Sequence, residues 1–149
     1  MTGDYDTFWV TKPYQALSAV EWESLCDGCG RCCLEKLENR KTGKVYFTVV
    51  ACPLLDLTTC RCTVYTTRFQ QMPGCLQLTP QNLFGRWLPS TCAYRLLREG
   101  KKLPEWHPLI SGDPNTVHSA GISVRNFAVS GEAVHPDQLA DFIFRDGKL

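Results

Sequence analysis

The sequence predicts an α+β fold, a small single domain of short helices and strands organised around a cysteine metal centre. Three observations predict it. A chain of 149 residues suits one domain, and no repeat, low-complexity tract or linker divides it. The candidate elements are short and the connections between them long. Nine cysteines are present, and four of them fall between Cys26 and Cys33. We therefore expect one cysteine-cluster metal-binding domain over residues 1–149, with residues 1–15 irregular.

The first predicted helix begins at a capping box. The Ser18 hydroxyl can accept from the amide three residues on, and the Glu21 carboxylate can reach back to the Ser18 amide. The helix then runs through Leu25. Gly28 and Gly30 end it, and they allow the tight backbone that closely spaced ligands need. Its expected packing residues are Val20, Trp22 and Leu25.

The next elements are a turn of helix and two strands. Residues 33–38 are expected to form one or two helical turns, and residues 39–44 a turn. The β-branched and aromatic run Val45–Ala51 predicts a strand. Residues 62–65 predict a second, shorter strand.

The last third of the chain predicts two helices and a strand. Ser90 through Glu99 is the clearest helix, with Gly100 as its C-cap, and residues 136–144 form the closing helix. Residues 121–129 alternate apolar and polar side chains, which suits a half-buried strand. Two shorter features complete the prediction: a brief helix beginning at Thr79-Pro80 and a turn-rich segment over residues 104–115.

Charge and hydropathy exclude several classes of protein. Sixteen basic residues against fifteen acidic ones leave a net charge of +1, so we expect no nucleic-acid partner. No apolar stretch approaches the ~20 residues needed to span a bilayer, and no secretory leader opens the chain. We therefore expect a cytoplasmic protein without a membrane partner. The protein partner, if one exists, is not indicated by the sequence.

In the cytoplasm the cysteines are expected to stay reduced. Dense cysteine patterns in that compartment indicate metal binding or redox chemistry rather than disulfides. Three of them, Cys26, Cys29 and Cys32, follow one another at Cys-x-x-Cys spacing. Thiolate sulfur binds zinc, copper(I) and iron–sulfur clusters. The triplet resembles the opening of a ferredoxin-type run, whereas zinc sites use Cys-x-x-Cys pairs well apart in sequence, so iron–sulfur is favoured over zinc.

Other cysteines offer further ligands. Adjacent Cys32 and Cys33 do not easily chelate one ion, because neighbouring side chains point in different directions. One of them would bind while the other packs, or each would serve a different site. Downstream, the candidates for the fourth ligand or a second site are Cys52, Cys60, Cys62 and Cys75. Cys92 lies at the start of a predicted helix, and we expect it to pack rather than bind metal.

Histidine chemistry and known catalytic motifs add little. No histidine has ligand spacing to another histidine or cysteine, so His107, His118 and His135 are expected to have surface or structural roles. The sequence contains no GxSxG, phosphate-binding loop or HExxH motif. Whether the protein is an enzyme stays open.

Several long segments resemble one family, the YcgN-type bacterial cysteine-cluster proteins of the CxxCxxCC group, described as zinc- or iron-chelating. The resemblance extends from about Trp9 to Val129. It rests on the segments 21–33 (EWESLCDGCGRCC), 46–52 (YFTVVAC), 87–97 (WLPSTCAYRLL), 103–109 (LPEWHPL) and 122–125 (ISVR). The resemblance implies metal ligands at Cys26, Cys29, Cys32, Cys33, Cys52, Cys62 and Cys75. The gap before Cys75 is longer than in typical members, and the usual Arg-Pro is Arg68-Phe69 here. The same module occurs in flagellin lysine methylases, where it is associated with an iron–sulfur cluster, but this chain is too short to carry the other parts of such an enzyme. The resemblance therefore implies metal binding and leaves the biological role open.

Three functions follow from these observations. The first is a cytoplasmic metal-binding protein whose cysteines hold an iron–sulfur cluster or zinc, with a redox or accessory role. The second is a structural zinc module that mediates protein interactions. The third is a metal-free thiol redox switch, which would need an accessible cysteine of low pKa.

Overall fold

A three-stranded sheet is built on the run of β-branched residues. The computed structural model describes residues 7–72, 78–83 and 87–144. Strand β2 (Val45–Ala51) is the predicted strand, confirmed residue for residue. It pairs antiparallel with β1 (Leu34–Glu38) and parallel with the two-residue β5 (Val129–Ser130), giving the order β1-β2-β5. The mixed α+β class is thereby confirmed.

Strand β1 corrects the prediction of helical turns over residues 33–38. Leu34 lies opposite Ala51 and Glu38 opposite Val45, so the segment is held by pairing with β2. The turn over residues 39–44 is confirmed, and the Asn39 side chain accepts hydrogen bonds from the amides of Lys41 and Thr42. Because this turn reverses the chain, β2 runs antiparallel to β1. Pairing between the two strands therefore overrides the local helix propensity of residues 33–38.

A second, two-stranded sheet joins β3 (Leu55–Asp56) to β4 (Arg61–Cys62). The strand predicted over residues 62–65 is correct only at its first residue, because Tyr65–Thr67 forms a 3₁₀ turn. The turn between β3 and β4 is closed by the Asp56 carboxylate, which accepts from the amides of Thr58 and Thr59. It ends at Cys60, whose φ of 59° is the one positive value at a non-glycine position in the described ranges.

The helices are short. They are α1 (Phe8–Thr11), α2 (Ala19–Ser24), α3 (Arg68–Gln71), α4 (Ala93–Arg98), α5 (Pro108–Ser111) and α6 (Thr116–Ser119). The remaining helical segments are 3₁₀ turns at Tyr14–Ala16, Arg31–Cys33, Val124–Asn126, Gly131–Ala133 and Pro136–Phe142. None of the described helices is long and apolar enough to cross a membrane.

Helix α2 begins at the predicted capping box. The Glu21 amide donates to the Ser18 hydroxyl at 3.1 Å, and the Ser18 amide donates to the Glu21 carboxylate at 2.9 Å. Of the expected packing residues, Leu25 is fully buried and Trp22 half-buried, but Val20 is 80% exposed. The helix covers the core with one edge only, and Val20 lies outside that edge.

Helix α4 is shorter than the predicted segment of residues 90–99. The chain turns first, with the Cys92 amide donating to the Pro89 carbonyl, and Cys92 itself is extended. The helix therefore begins at Ala93. It ends at Arg98 with Glu99 as its C-cap, and Gly100, the predicted C-cap, follows one residue later at a φ of 71°.

Other local predictions were wrong in ways that tertiary contacts explain. Residues 121–129 form no continuous strand, because neighbouring Ser123 and Val124 are both fully buried and Val124 begins a 3₁₀ turn. The closing helix is a 3₁₀ segment capped by His135. Thr79-Pro80 begins a turn, in which the Asn82 side chain accepts from the Thr79 amide, and no helix. Residues expected to be irregular include α1, and α5 lies within the expected turn-rich segment.

Two hydrophobic clusters divide the interior. The helical core contains Leu25, Leu83, Leu88, Ala93, Tyr94 and Leu103. The sheet core contains Leu34, Phe47, Ala51, Leu55, Cys60 and Val124. Residues 26–33, called the cysteine loop below, connect Leu25 of one core to Leu34 of the other.

Candidate metal centre

The cysteine loop is anchored at both ends by buried leucines. Leu25 is 0% exposed and Leu34 is 2% exposed, and each lies in a different core. Burying a leucine contributes about 1.5–3 kcal/mol, so each end is fixed by packing rather than by the loop itself. The eight intervening residues must therefore span the boundary between the two cores.

His107 fixes the first end of the loop. It is fully buried, and its Nδ1 accepts a hydrogen bond from the Leu109 amide at 3.0 Å. In a neutral imidazole the other nitrogen then carries the proton. His107 Nε2 accordingly donates to the Leu25 carbonyl at 2.8 Å. The expected structural role of His107 is confirmed, and the bond positions the peptide immediately before Cys26.

Two glycines shape the loop. Gly28 and Gly30 have φ values of 78° and 75°. At Gly30 a Cβ would lie 2.9 Å from Val124 Cγ2, so a larger residue is excluded both by conformation and by space. The Val124 amide donates to the Cys29 carbonyl at 2.9 Å, which holds the loop against the sheet core.

Backbone amides donate to sulfur atoms within the loop. The Arg31 amide lies 3.4 Å from Cys29 Sγ and donates to it. A hydrogen bond from the Gly28 amide lowers the pKa of Cys26, against the larger effect of desolvation, which raises it. The sulfurs of Cys26 and Cys29 thus each face the amide two residues later. Amide donors favour the thiolate, the form that binds metal.

The sulfurs of Cys26, Cys29 and Cys32 occupy one electrostatic neighbourhood. Desolvation, then the charges of Asp27 and Cys32, raise the pKa of Cys29. The charge of Cys32 also raises the pKa of Cys26. A hydrogen bond with the Cys33 side chain lowers the pKa of Cys32, and Lys36 adds to this effect. Three neighbouring thiolates repel one another, so a bound cation would stabilise them together.

Asp27 carries an unpartnered oxygen next to these sulfurs. The residue is 7% exposed, and its Oδ1 accepts from the Cys29 amide at 2.9 Å. Its Oδ2 is buried without a hydrogen-bond partner in the described part of the chain. Leaving a buried acceptor unsatisfied costs about 1–3 kcal/mol, and more for a charged one. Soft thiolates beside an orphaned carboxylate oxygen are a donor set that fits a cation or cluster.

Basic side chains surround the loop. Arg31 is buried and donates from Nε to the Ile122 carbonyl at 2.7 Å. Lys36 Nζ donates to the Cys32 and Leu34 carbonyls, each at 2.8 Å. A Cβ built on Gly28 would lie 3.6 Å from Arg61 Nη2, so this guanidinium covers the loop. These cations offset part of the negative charge that several thiolates would carry.

The sequence-predicted ligands fall into two groups. Cys26 and Cys32 are exposed and Cys29 is buried, all within the loop. Cys33 packs against the sheet core, where Cys60 is buried. The Cys52 amide donates to the Cys33 carbonyl at 2.8 Å. Cys62 lies opposite Leu55 between β4 and β3. Cys75 lies outside the described residues.

The thiols are not assembled around one point. Across residues 7–72, 78–83 and 87–144, no three Cys, His, Asp or Glu side chains lie close enough together to hold one metal ion. None of the eight cysteines in these ranges forms a disulfide. Metal binding would therefore draw the sulfurs closer, as in sites where ligand binding and local folding are coupled.

Sequence reasoning found the loop but missed the residues that position it. The contact of His107 with Leu25 joins residues 82 positions apart, and no spacing signals it. One hint was present, because Pro108 follows His107 and marks a helix start. Burial of Asp27 and Arg31 had no sequence signal, since both were equally consistent with solvent exposure.

Comparisons with known proteins agree with the site. The model of the CxxCxxCC family, described as "Putative zinc- or iron-chelating domain", matches residues 25–93. Among curated relatives, a UPF0260 protein of Granulibacter bethesdensis is 55% identical over 137 residues, covering 91% of this chain and 81% of that protein. UPF0260 proteins of Rhizobium etli and Marinobacter nauticus are each 52% identical over 91% of this chain, covering 87% and 93% of their own lengths. No solved structure matches this chain.

Proposed function

This chain belongs to the UPF0260 family, and from that membership and the loop geometry we propose that its clustered cysteines bind an iron–sulfur cluster with a redox or accessory role. Cys26, Cys29 and Cys32 supply the core ligands. The remaining cysteines implied by the family resemblance are candidates for completing the centre or forming a second one: Cys33, Cys52, Cys62 and Cys75. We further propose that residues 1–149 act as one metal-binding domain.

The arrangement of sulfur and amide groups in the loop carries the proposal. Cys29 Sγ accepts from the Arg31 amide, and the Asp27 Oδ2 in the same loop is buried without a partner in the described chain. A loop that serves only as a connection would gain nothing from burying a carboxylate with one unpartnered oxygen among several thiols. A positively charged metal centre that binds sulfur would offset both the cost of the buried carboxylate oxygen and the repulsion between the thiolates.

Exposure favours a redox role for such a cluster. Cys26 and Cys32 are exposed as whole residues although both thiols are desolvated, so the surface of the loop beside the centre would be accessible to an electron donor or acceptor. An iron–sulfur cluster, when bound, supplies one-electron transfer at a potential set by charge, hydrogen bonds to sulfur and solvent exposure. The Arg31 amide on Cys29, together with the cations Lys36 and Arg61 around the loop, would act on that potential.

A structural zinc centre is the alternative, and the position of the loop favours it. Because the loop joins Leu25 of the helical core to Leu34 of the sheet core, metal bound there would hold the two cores together. Structural zinc contributes folding energy directly. In that case the protein would act as an interaction module and have no redox chemistry.

We also propose a cytoplasmic location. Its support is that the eight cysteines of the described chain form no disulfide, since thiols are kept reduced in that compartment. Two further properties, a balanced charge and the absence of a spanning helix among the described residues, are compatible with it.

The deciding experiment is metal analysis of anaerobically purified protein. Iron, acid-labile sulfide and zinc are measured per chain, together with the absorption spectrum. Brown protein with equal iron and sulfide would support the iron–sulfur proposal. Colourless protein with stoichiometric zinc would support the structural alternative. A third outcome would support the metal-free thiol switch: the purified protein contains neither metal, takes up neither on reconstitution, and has a Cys32 that reacts rapidly with alkylating agents.

A further inference from the structure

Cys92 lies beside the cysteine loop although it is far from the loop in sequence. It packs against the helical core, which contains Leu25, the residue before Cys26. Sequence analysis expected packing, and the packing is confirmed. The same location, however, places a cysteine from the second half of the chain in the core that anchors the start of the cysteine loop, which the sequence could not foresee.

Contacts on both sides hold the Cys92 segment against the loop. Thr91 Oγ1 accepts from Arg31 Nη1 at 3.4 Å, and the Tyr94 hydroxyl donates to the Trp22 carbonyl at 2.7 Å. Arg31 lies inside the cysteine loop and Trp22 lies just before it. Thr91 and Tyr94 are therefore each hydrogen-bonded to the segment of the chain around Cys26, and Cys92 lies between these two residues.

Electrostatics place Cys92 with the loop thiols. Desolvation raises the pKa of Cys92 to about 12, and the charges of Cys32 and Cys26 act in the same direction. An independent observation favours a cation in this neighbourhood: the Asp27 carboxylate is 7% exposed, and its Oδ2 has no hydrogen-bond partner in the described chain.

The other described candidates for a fourth ligand are associated with the sheet core. Cys60 is buried in that core, and its Cβ lies 3.5 Å from a Cβ built on Gly30. Cys33 packs against the sheet core. Cys62 lies in β4, paired with Leu55 of the same core. Cys52 is attached through its amide to the Cys33 carbonyl, on the same side. Of the eight described cysteines, Cys92 is the one outside the loop that packs on the helical core.

We propose that Cys92 is the fourth thiolate of the centre formed by Cys26, Cys29 and Cys32, an assignment that rests on the proposed metal-binding function. Four cysteine sulfurs satisfy both the tetrahedral coordination of structural zinc and the four-thiolate requirement of an iron–sulfur cluster. The sheet-core cysteines are then left for packing or for a separate centre.

Titration of the full-length apo protein with Co²⁺ alone tests the assignment. Sulfur-to-cobalt charge-transfer absorption increases with the number of Co–S bonds. Cys92→Ala is compared with wild type and with the control Cys60→Ala, which removes a cysteine buried in the sheet core. For the first equivalent of Co²⁺ we expect Cys92→Ala to weaken binding at least about 100-fold, more than loss of a group that only hydrogen-bonds to a ligand does. We expect Cys60→Ala to bind that equivalent as wild type does.

The outcomes separate this assignment from the proposed function. Wild-type protein that binds no Co²⁺ overturns both. Wild-type binding that Cys92→Ala leaves unchanged in affinity and in charge-transfer intensity overturns the assignment of Cys92 alone. If Cys92→Ala does not fold, alkylation of wild type with and without Co²⁺, mapped by mass spectrometry, decides the question. Protection of Cys92 together with Cys26 and Cys29 supports the proposal, whereas equal labelling of Cys92 in both samples overturns it.

Discussion

The helical core and the sheet core flank the same loop, yet they use cysteine differently. In the sheet core, Cys60 is 4% exposed among aliphatic and aromatic side chains and acts as a small hydrophobic residue. On the helical side, the cysteines of the loop face amide donors, a buried carboxylate and one another. The difference shows that cysteines of one chain can lie in chemically distinct surroundings, so cysteine density alone is a weaker guide to candidate ligands than the polar groups around each sulfur.

The largest expected effect is loss of bound metal, and it tests whether the two cores use cysteine differently. Cys29→Ala removes a sulfur that accepts from the Arg31 amide, and we expect complete loss of bound metal. Cys60→Ala removes a sulfur that only packs, and we expect full metal content with a loss of about 0.5–3 kcal/mol of stability. Metal analysis and urea unfolding measure the two effects. Loss of metal in Cys60→Ala would show that the sheet core also supplies ligands.

A second prediction concerns the separation of the two cores. Leu25→Ala and Leu34→Ala each create a cavity, and each should destabilise the apo protein by about 2–5 kcal/mol in urea unfolding. Because the two leucines belong to different clusters, the double variant should be additive to within about 0.5 kcal/mol. A coupling energy well above that value would mean that the loop transmits strain between the cores.

A third, smaller effect concerns the bond that positions the loop. His107→Ala leaves the Leu25 carbonyl and the Leu109 amide without their present partner, at a cost of about 1–3 kcal/mol. The control is His135→Ala, because His135 is exposed and caps a 3₁₀ segment outside both the loop and the helical core. Thermal unfolding compares the variants. Equal destabilisation by both changes would remove the special role of His107.

The smallest prediction lies at the edge of the helical core. Hydrogen bonding to the Ser18 backbone, then to Lys12, lowers the pKa of Glu21. A lowered folded-state pKa stabilises the protein above the ordinary glutamate pKa, and this contribution is lost as pH falls through the lowered value. Glu21→Gln should therefore reduce the melting temperature slightly at pH 7 and have no effect at strongly acidic pH. Glu105→Gln, at an exposed position, is the control. A difference that persists unchanged in acid would contradict the linkage.

Local signals predicted the elements that need no distant partner. The capping box of α2 and the strand Val45–Ala51 were correct because each is encoded within a few neighbouring residues. The predictions for β1 and for residues 121–129 were wrong because distant contacts determine both segments. Strand β1 is determined by pairing with β2, and residues 121–129 by burial against the cysteine loop.

The site was predictable in part for the same reason. Spacing identified the loop cysteines, since Cys-x-x-Cys is a local pattern. Several neighbours of the loop come from residues 91 to 124, and no local pattern indicates that Arg31 reaches Thr91 and Ile122 or that His107 reaches Leu25. Such contacts depend on how the two cores are assembled, which a single sequence does not display.

The close approach of Gly30 to Val124 has one more consequence. Since the Val124 amide donates to the Cys29 carbonyl and Gly30 admits no side chain between them, this amide proton is shielded only while the loop is closed. The rate at which this amide exchanges with deuterium therefore reports how often the loop opens, although Val124 is 95 positions along the chain from Cys29, whose carbonyl protects it. Val124 reports on the cysteines without being one of them.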